Sequence, residues 1–266
     1  MAQSGKENWA GGDAYEYFMG RWSRKTAALF LAWLDADSNL TWLDIGCGTG
    51  ALSQNILAKQ SPRSIWTIDP SWNFVHHARE NLQSKHIHSV VSFADAIPLA
   101  NNHCDAVVSG LMLNFTPDPV AAIREMGRVT KSGGTVAAYV WDYAGKMEWL
   151  RYFWDAALAI DPSASQFDEG QRFPLCEQDN LEAVFTSAGL SQVEVTALDT
   201  VTVFENFDAY WQPFLSGEFP APHYLKSLSA TQQTAMKEAL QSALPIAEDG
   251  SIKLIARAWG VRGVVA

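Results

Sequence analysis

The chain has 266 residues, of which 48% are hydrophobic and 18% are charged, so it allows one large domain or two small ones with a sizeable core. Its formal net charge of -10 argues against a general nucleic-acid-binding protein, because neutralising phosphates requires clustered Lys and Arg. A local basic pocket remains compatible with this charge.

The cysteines and the first residues bear on the compartment. Cys47, Cys104 and Cys176 are odd in number and lack metal-ligand spacing, so we expect reduced thiols in a cytoplasmic protein and no metal site. The opening segment, MAQSGKENWAGGDA, has no apolar region of the kind that a secretory signal carries. No apolar run is long enough to cross a bilayer.

Short apolar segments alternate with amphipathic ones up to residue 141. Strands are predicted at 41–45, 64–69, 89–93, 104–110 and 135–141. Helices are predicted at 23–34, with Ser23 as the N-cap, and at 51–59, 71–84 and 118–130. This alternation indicates a parallel sheet with helices on both faces, and the nearly continuous apolar strands are typical of such a sheet.

The pattern loosens after residue 141. A Trp-rich helical segment and a loop are followed by predicted elements at 179–190 (helix), 192–203 (strand), 206–243 (helical) and 251–261 (strand). We therefore expect a single domain over 1–266, with an arm and helix over 1–34. Two helical inserts, 142–180 and 204–250, are expected to cap one end of the sheet.

A Gly-rich turn, LDIGCGTG (43–50), lies between a predicted strand and a predicted helix. Such a turn lets a ligand approach the backbone, and the helix N-terminus offers free N–H groups. Gly46, Gly48 and Gly50 are spaced one residue more tightly than the dinucleotide fingerprint. Asp44, two residues before the first Gly, suits a ligand with an ammonium group better than a pyrophosphate.

Two more carboxylates follow the next predicted strands. Asp69 ends the second strand, where a carboxylate can accept both ribose hydroxyls, and Asp95 after the third can accept a hydrogen bond from an adenine amine. Each carboxylate alone is as typical of a turn or a helix cap. Because each of these carboxylates lies at or just after the end of a predicted strand, together they favour a nucleoside ligand.

The segments LDIGCGTG, IDPS, FADAIPLANNHCDAVVSG and REMGRVTKSGGTVAAYVWD together resemble the class I S-adenosylmethionine-dependent methyltransferases. They look most like the group that acts on small molecules, including quinone-type methyltransferases. The resemblance covers residues 15–141 well and the closing strands more loosely. It implies S-adenosylmethionine as the cofactor and a Rossmann-like three-layer α/β fold, with a seven-stranded, mostly parallel sheet whose last strand is antiparallel.

The resemblance also implies cofactor contacts at the matching positions. The methionine part is assigned to Asp44, Gly46, Cys47, Gly48 and Gly50, the ribose to Asp69, the adenine to Pro70, Ser71, Asp95 and Ala96, and the floor of the site to Leu111 and Met112. Cys47 is expected to fill a small-residue position rather than act as a nucleophile.

The stretch YEYFMGRWSRK (15–25) is similar to an arm that folds over the cofactor in many relatives. By that resemblance, Tyr15 and its aromatic neighbours cover the sulfonium, and Arg21 pairs with the cofactor carboxylate. The alternative is a helix N-terminus whose Trp22 packs into the core, with Arg24 and Lys25 solvated.

The reaction that the resemblance implies is an in-line displacement, which depends on alignment and on excluding water. It needs a base only for an acceptor that is protonated at working pH, and the sequence identifies no such residue. Trp22, Trp141 and Tyr143 are assigned to the acceptor, which we expect to be a small, partly apolar or aromatic molecule, with a cationic one held by cation–π contact also possible. Alternatives are a protein methyltransferase, a nucleotide-linked oxidoreductase and a non-catalytic binding module; the oligomeric state is left open.

Overall fold

The computed structural model describes residues 21–215 and 219–266, and for Arg21 the backbone only. Tyr15 and most of the predicted arm therefore lie outside the described residues. The strands are β1 (Thr41–Ile45), β2 (Ser64–Asp69), β3 (Ile87–Val91), β4 (Cys104–Gly110), β5 (Thr130–Trp141), β6 (Ser191–Phe204) and β7 (Ile252–Val264).

These strands form one seven-stranded sheet in the order β3-β2-β1-β4-β5-β7-β6. The first five strands pair in parallel, and β7 runs antiparallel to both of its neighbours, β5 and β6. The predicted mostly parallel sheet with an antiparallel last strand is confirmed. Because β1 and β4 are neighbours whereas β2 leads away on the other side, the strand order reverses beside β1, where ligands of open α/β sheets bind.

Helices connect the strands and cover both faces of the sheet. They are α1 (Arg21–Leu34), α2 (Ala51–Lys59), α3 (Trp72–Asn81), α4 (Pro119–Val129), α5 (Glu148–Ile160), α6 (Glu169–Arg172), α7 (Gln178–Ser187), α8 (Phe207–Leu215), α9 (Pro220–Ser227) and α10 (Ala230–Ala243). The helical segments predicted between β5 and β6 and between β6 and β7 are present as α5–α7 and α8–α10.

Two sequence predictions of local structure need correction. Ser23 is not an N-cap, because α1 already includes Arg21 and Ser23 is buried inside that helix. The fifth strand begins at Thr130 and not at the predicted residue 135. Its early part contains Gly133 and Gly134, and there the pairing with β4 jumps from Cys104–Thr130 to Ala106–Thr135. The glycines thus accommodate an irregularity in the strand instead of separating a helix from it.

The core is divided by the sheet because successive side chains of a strand point to opposite faces. On β1, Trp42 belongs to the cluster that contains Phe30 of α1 and Ile56 of α2. Its neighbour Leu43 belongs to the cluster that contains Ile123 of α4 and, on α7, the fully buried Phe185. The helices on both faces therefore pack on a sheet that is buried on both sides.

Within the described ranges, no helix is both long and apolar enough to cross a membrane. The cytoplasmic location stays a prediction.

Candidate cofactor and acceptor site

The Gly-rich turn joins β1 to α2 and is fixed to the end of β2. The N–H groups of Gly46 and Cys47 donate to the carbonyl oxygen of Ile68 over 2.7 and 3.0 Å. Gly46 has a φ of 68°, and a Cβ there would collide with the side chain of Met112. At Gly48, with a φ of 51°, a Cβ would meet no described atom within 4 Å. The turn is therefore closely packed at its first glycine and open at its second.

Asp44 lies near the end of β1 with its carboxylate buried below the turn. Its Oδ2 accepts a hydrogen bond of 2.6 Å from the Ser53 hydroxyl, whereas its buried Oδ1 has no hydrogen-bond partner in the part of the chain that the structure describes. Burial raises the pKa of Asp44 to about 7, although the hydrogen bonds from Ser53 oppose that rise. A buried carboxylate oxygen without a donor is costly, and an ammonium group of a ligand would satisfy it.

Asp69 connects the Gly-rich turn to the start of α3. Its Oδ2 accepts from the Gly48 N–H at 3.1 Å and its Oδ1 from the Ser71 N–H at 2.8 Å, while the Ser71 hydroxyl is the actual N-cap, accepting from Phe74. Burial raises the pKa of Asp69, and the two N–H donors partly offset this. Asp69 thus organises the turn in addition to offering oxygens at the carboxyl end of β2.

The adenine assignments fall beside Asp69 on the neighbouring strand. Val91, the last residue of β3, pairs with Asp69, and Asp95 and Ala96 form an exposed turn just beyond it. Pro70 is exposed and Ser71 is partly exposed. The fold thus brings the residues assigned to ribose and adenine to one edge of the sheet.

The floor assignments follow β4. Leu111 has a φ of 59° and donates its N–H to the Tyr139 carbonyl oxygen at 2.8 Å. A non-glycine residue in this left-handed region is strained, and such strain clusters at functional sites. Leu111 and Met112 are both partly exposed, and Met112 packs against Gly46, so β4 meets the Gly-rich turn at this point.

The three residues assigned to the acceptor differ in position. Trp22 is 2% exposed, with its ring centroid 4.9 Å from that of Trp149 and 5.8 Å from that of Phe204. Trp141 is also buried in the same core cluster. Both rings contribute to packing here, and an acceptor contact for either stays a prediction. Tyr143 is partly exposed, 5.8 Å from Phe173.

Cys47 is buried beside the turn, and burial raises the pKa of its thiol well above the usual range. The nearby carboxylates of Asp44 and Asp69 act in the same direction. A thiol kept protonated is a poor nucleophile, which agrees with the small-residue role assigned to Cys47.

Sequence reasoning missed three residues of this region. Ser53 is the partner of Asp44, and its only signal is its position in the first turn of α2. The ring centroids of Phe115 and Phe173 lie 5.2 Å apart, and Phe173 also contacts Tyr143, but Phe115 and Phe173 are 58 positions apart in the chain. No local pattern indicates such a contact.

The titration of Asp44 leads to a prediction on stability. The folded protein keeps the proton while the unfolded chain ionises near pH 3.8. The contribution of this group to the free energy of unfolding is therefore fully present below about pH 4 and is lost as the pH rises through about 7. Between pH 5 and 8, wild type should lose about 2.5 kcal/mol relative to Asp44→Asn, measured by urea unfolding.

Asp105→Asn is the control for this prediction. Burial acts to raise the pKa of Asp105, but the hydrogen bonds from Lys131 and the Thr41 N–H and the charges of Lys131 and Arg63 together outweigh burial and lower the pKa. This variant should therefore differ from wild type by a constant amount between pH 5 and 8. Glu169, whose pKa burial raises to about 7, titrates in all three proteins and cancels. Parallel pH curves for wild type and Asp44→Asn would contradict the prediction.

The fold and the site define the class. Carboxylates at the ends of β1 and β2, an open Gly48 and an unsatisfied Asp44 oxygen suit a nucleoside ligand with an ammonium group at the point where the strand order reverses. The seven-stranded sheet with its antiparallel β7 is that of a Rossmann-like methyltransferase.

Comparison with known proteins agrees with the assignment of the fold to a methyltransferase. Residues 43–138 match a family described as a methyltransferase domain. The ubiquinone/menaquinone biosynthesis C-methyltransferase of Burkholderia cenocepacia is 30% identical over 166 residues, which are 57% of this chain and 68% of the relative. The chain belongs to the class I S-adenosylmethionine-dependent methyltransferases, and S-adenosylmethionine is its cofactor.

Other relatives and solved structures extend the picture. The 2-methyl-6-phytyl-1,4-hydroquinone methyltransferase of Spinacia oleracea is 28% identical over 116 residues, 43% of this chain. That match spans 34% of the Spinacia oleracea relative. A methyltransferase of Arabidopsis thaliana is 26% identical over 61% of this chain, and the match spans 45% of that relative. Phosphoethanolamine N-methyltransferase 2 of Haemonchus contortus shares the fold, with a TM-score of 0.60 at 16% identity over 98% of this chain and 58% of that one.

Proposed function

We propose that this methyltransferase methylates a small, partly apolar or aromatic acceptor that packs against Phe115, Tyr143 and Phe173, called the aromatic wall below. The observation that carries the proposal is the position of this wall, one short turn beyond Met112. Met112 packs against Gly46, and its carbonyl oxygen accepts from the Phe115 N–H at 2.8 Å. The wall therefore adjoins the proposed cofactor turn.

The rings of the wall are arranged to offer a partly exposed apolar surface. Phe115 and Phe173 meet edge to face at 5.2 Å, and Tyr143 is 5.8 Å from Phe173. All three are intermediate in exposure, unlike the fully buried rings of Trp149, Phe153 and Phe214. Partly exposed aromatic faces suit a flat acceptor, because ring pairs gain stabilisation beyond the area they bury.

A buried ion pair supports the wall from behind. The Arg151 guanidinium donates Nη1 to Asp168 Oδ1 at 3.0 Å and Nη2 to Asp168 Oδ2 at 2.8 Å. Arg151 Nη1 also donates to the Tyr143 carbonyl oxygen at 3.1 Å. The pair joins α5, the segment before α6 and Tyr143, the second residue after β5, so it fixes the positions of Tyr143 and the nearby Phe173.

The bound cofactor supplies an activated methyl group, so the chain must align the acceptor and exclude water. In this proposal Asp44 and Asp69 hold the cofactor, Met112 forms the floor, and the wall orients the acceptor. In this proposal the inserts over 142–180 and 204–250 cover the site, and the arm with Tyr15 and Arg21 keeps the cofactor role predicted from the sequence, outside the described side chains. The Asp142 carboxylate has a structural role, because it accepts hydrogen bonds from the N–H groups of Gly145 and Lys146.

The relatives support an aromatic acceptor and also name a competing one. The Spinacia oleracea and Burkholderia cenocepacia relatives are named for hydroquinone and quinone biosynthesis. A relative from a Marinomonas strain, 33% identical over 95 residues, is a malonyl-[acyl-carrier protein] O-methyltransferase. The partly exposed wall favours a ring over a malonyl group.

The direct test measures S-adenosylhomocysteine release with hydroquinones, phenols, a malonyl thioester and a peptide mixture as acceptors. Turnover with the hydroquinones or phenols is expected. Turnover confined to the thioester or peptides would contradict the aromatic acceptor. Tight cofactor binding without turnover across a broad panel would favour the non-catalytic module.

Replacing Phe173 with alanine should raise KM for the aromatic acceptor about tenfold, because the lost ring contact is worth roughly 1.4 kcal/mol. The Kd of S-adenosylhomocysteine should not change. The matched control is Phe167→Ala in the same insert, whose ring is 36% exposed and contacts Tyr224 instead of the wall. Equal KM values for the two variants would refute the role of Phe173.

A further inference from the structure

The guanidinium of Arg128, near the end of α4, holds the loop that follows the Asp95–Ala96 turn. Its Nη2 donates to the Ile97 carbonyl oxygen at 2.9 Å, and its Nη1 donates to the Leu99 carbonyl oxygen at 3.0 Å and to Asn101 Oδ1 at 2.6 Å. Two further hydrogen bonds of 2.7 Å, from Nε and Nη2, reach the Glu125 carboxylate. All five donors of the guanidinium are thus used.

Glu125 holds the same loop by a different group. Its Oε1 accepts from the Ile97 N–H at 3.0 Å, so the two α4 side chains together bind both the N–H and the carbonyl oxygen of Ile97. On the other side of the turn, the Ser92 hydroxyl donates to the Ala96 carbonyl oxygen at 2.7 Å. The exposed turn is therefore fixed at both of its ends.

The fixed turn presents a carboxylate that is free for a ligand. The Asp95 side chain is exposed and accepts no hydrogen bond from another described residue, whereas Ile97, two residues further on, is 4% exposed and anchored in the core. The turn stands beside Asp69, since Ser92 donates its N–H to the Asp69 carbonyl oxygen at 3.2 Å. A small shift of this turn would move Asp95 relative to a nucleoside held at Asp69.

We propose that Arg128 and Glu125 are positioning residues that hold Asp95 and Ala96 where they recognise the amino edge of adenine. The proposal rests on the assignment of Asp95 to adenine but not on the identity of the acceptor. Lysine cannot replace arginine in this role, because an ammonium lacks the planar fork that reaches three loop acceptors and one carboxylate together. Replacing Arg128 with lysine should therefore weaken the discrimination between ligands whose purines differ at the 6-position.

The test compares the Kd of S-adenosylhomocysteine with that of S-inosylhomocysteine, in which an oxo group replaces the amine. Wild type should prefer the adenosyl ligand by about tenfold or more, the range for a hydrogen bond to a charged group. Asp95→Ala should abolish this preference, and Arg128→Lys should reduce it to about twofold while leaving the affinity for the inosyl ligand nearly unchanged. A role confined to stability would lower both affinities together.

Arg124→Lys is the matched control, since Arg124 lies on the same helix and donates to the Ser187 carbonyl oxygen away from the loop. It should keep the wild-type preference. Asn101→Ala removes one exposed acceptor of Arg128 and should lower the preference by about threefold even if Arg128→Lys fails to fold. The proposal is overturned if Asp95→Ala keeps the preference, or if Asp95→Ala abolishes it while Asn101→Ala and any folded Arg128→Lys keep it. Because no acceptor enters the assay, failure of the aromatic-acceptor proposal leaves this result intact.

Discussion

Replacing Asp168 with alanine should lower the free energy of unfolding by about 3–5 kcal/mol, the range found when one partner of a buried ion pair is removed. The Asp168 side chain is 2% exposed and that of Arg151 is 15% exposed, so the variant leaves a largely buried guanidinium whose remaining carboxylate partner is the exposed Asp155, 3.3 Å from its Nε. Asp168 also accepts from the Gly170 N–H at 2.8 Å, and this backbone donor loses its partner too. Urea unfolding of the two proteins measures the difference.

Asp199→Ala is the matched control, because Asp199 forms a bidentate pair with Arg257 of similar geometry, at 2.6 and 2.8 Å. The Asp199 side chain is 40% exposed, so solvent screens the pair and its loss should cost about 1 kcal/mol or less. The double variant Arg151→Met/Asp168→Leu should recover most of the stability, since apolar groups of similar volume can replace a buried pair. Equal losses for Asp168→Ala and Asp199→Ala would contradict the burial argument.

Replacing Asp69 with alanine should raise the Kd of S-adenosylhomocysteine by about 100-fold or more, because charge-assisted hydrogen bonds contribute about 1.5–3 kcal/mol each. Two effects combine in this variant. The ribose loses its proposed acceptor, and the N–H groups of Gly48 and Ser71 lose the carboxylate that joins the Gly-rich turn to α3. Calorimetric titration measures the change.

Asp118→Ala provides the control, since Asp118 also accepts a backbone N–H at the start of a helix, from Ala121 at 2.9 Å. This variant should cost about 1 kcal/mol of stability as a lost N-cap and leave the Kd unchanged. A Kd for Asp69→Ala within threefold of wild type, in a folded protein, would reduce Asp69 to a structural residue.

Most elements of the sheet could be predicted because their signals are local. The segments at 41–45, 64–69 and 104–110 are apolar runs between turns, and all three coincide with strands of the structure. The ends of the elements do not all follow from local signals: α1 begins before Ser23, which resembles a cap in sequence but is buried inside the helix. The irregularity in β5 was not predictable, since it depends on how the glycines pair with β4.

The candidate site also contains residues that local sequence signals identify and residues whose role depends on the folded structure. Asp44, Gly46, Gly48 and Asp69 follow strands and a turn that can be recognised from adjacent residues, and the fold places them together. Their roles toward the cofactor remain proposals. Trp22 and Trp141 show that residue type alone does not identify an acceptor contact, because an aromatic residue near a site can pack in the hydrophobic core instead. Only burial in the folded chain separates these uses.

The amino-acid sequence by itself determined the parallel sheet and the placement of carboxylates after its strands, because each follows from residues adjacent in the chain, and it indicated the cofactor through the family resemblance of these segments. The tertiary structure alone decided which side chains meet across long separations. Phe173 contacts Phe115, Asp168 pairs with Arg151, and the Arg128 guanidinium donates hydrogen bonds to the loop after Asp95. Such contacts depend on the path of loops and on the burial of the groups they carry, which no local periodicity encodes.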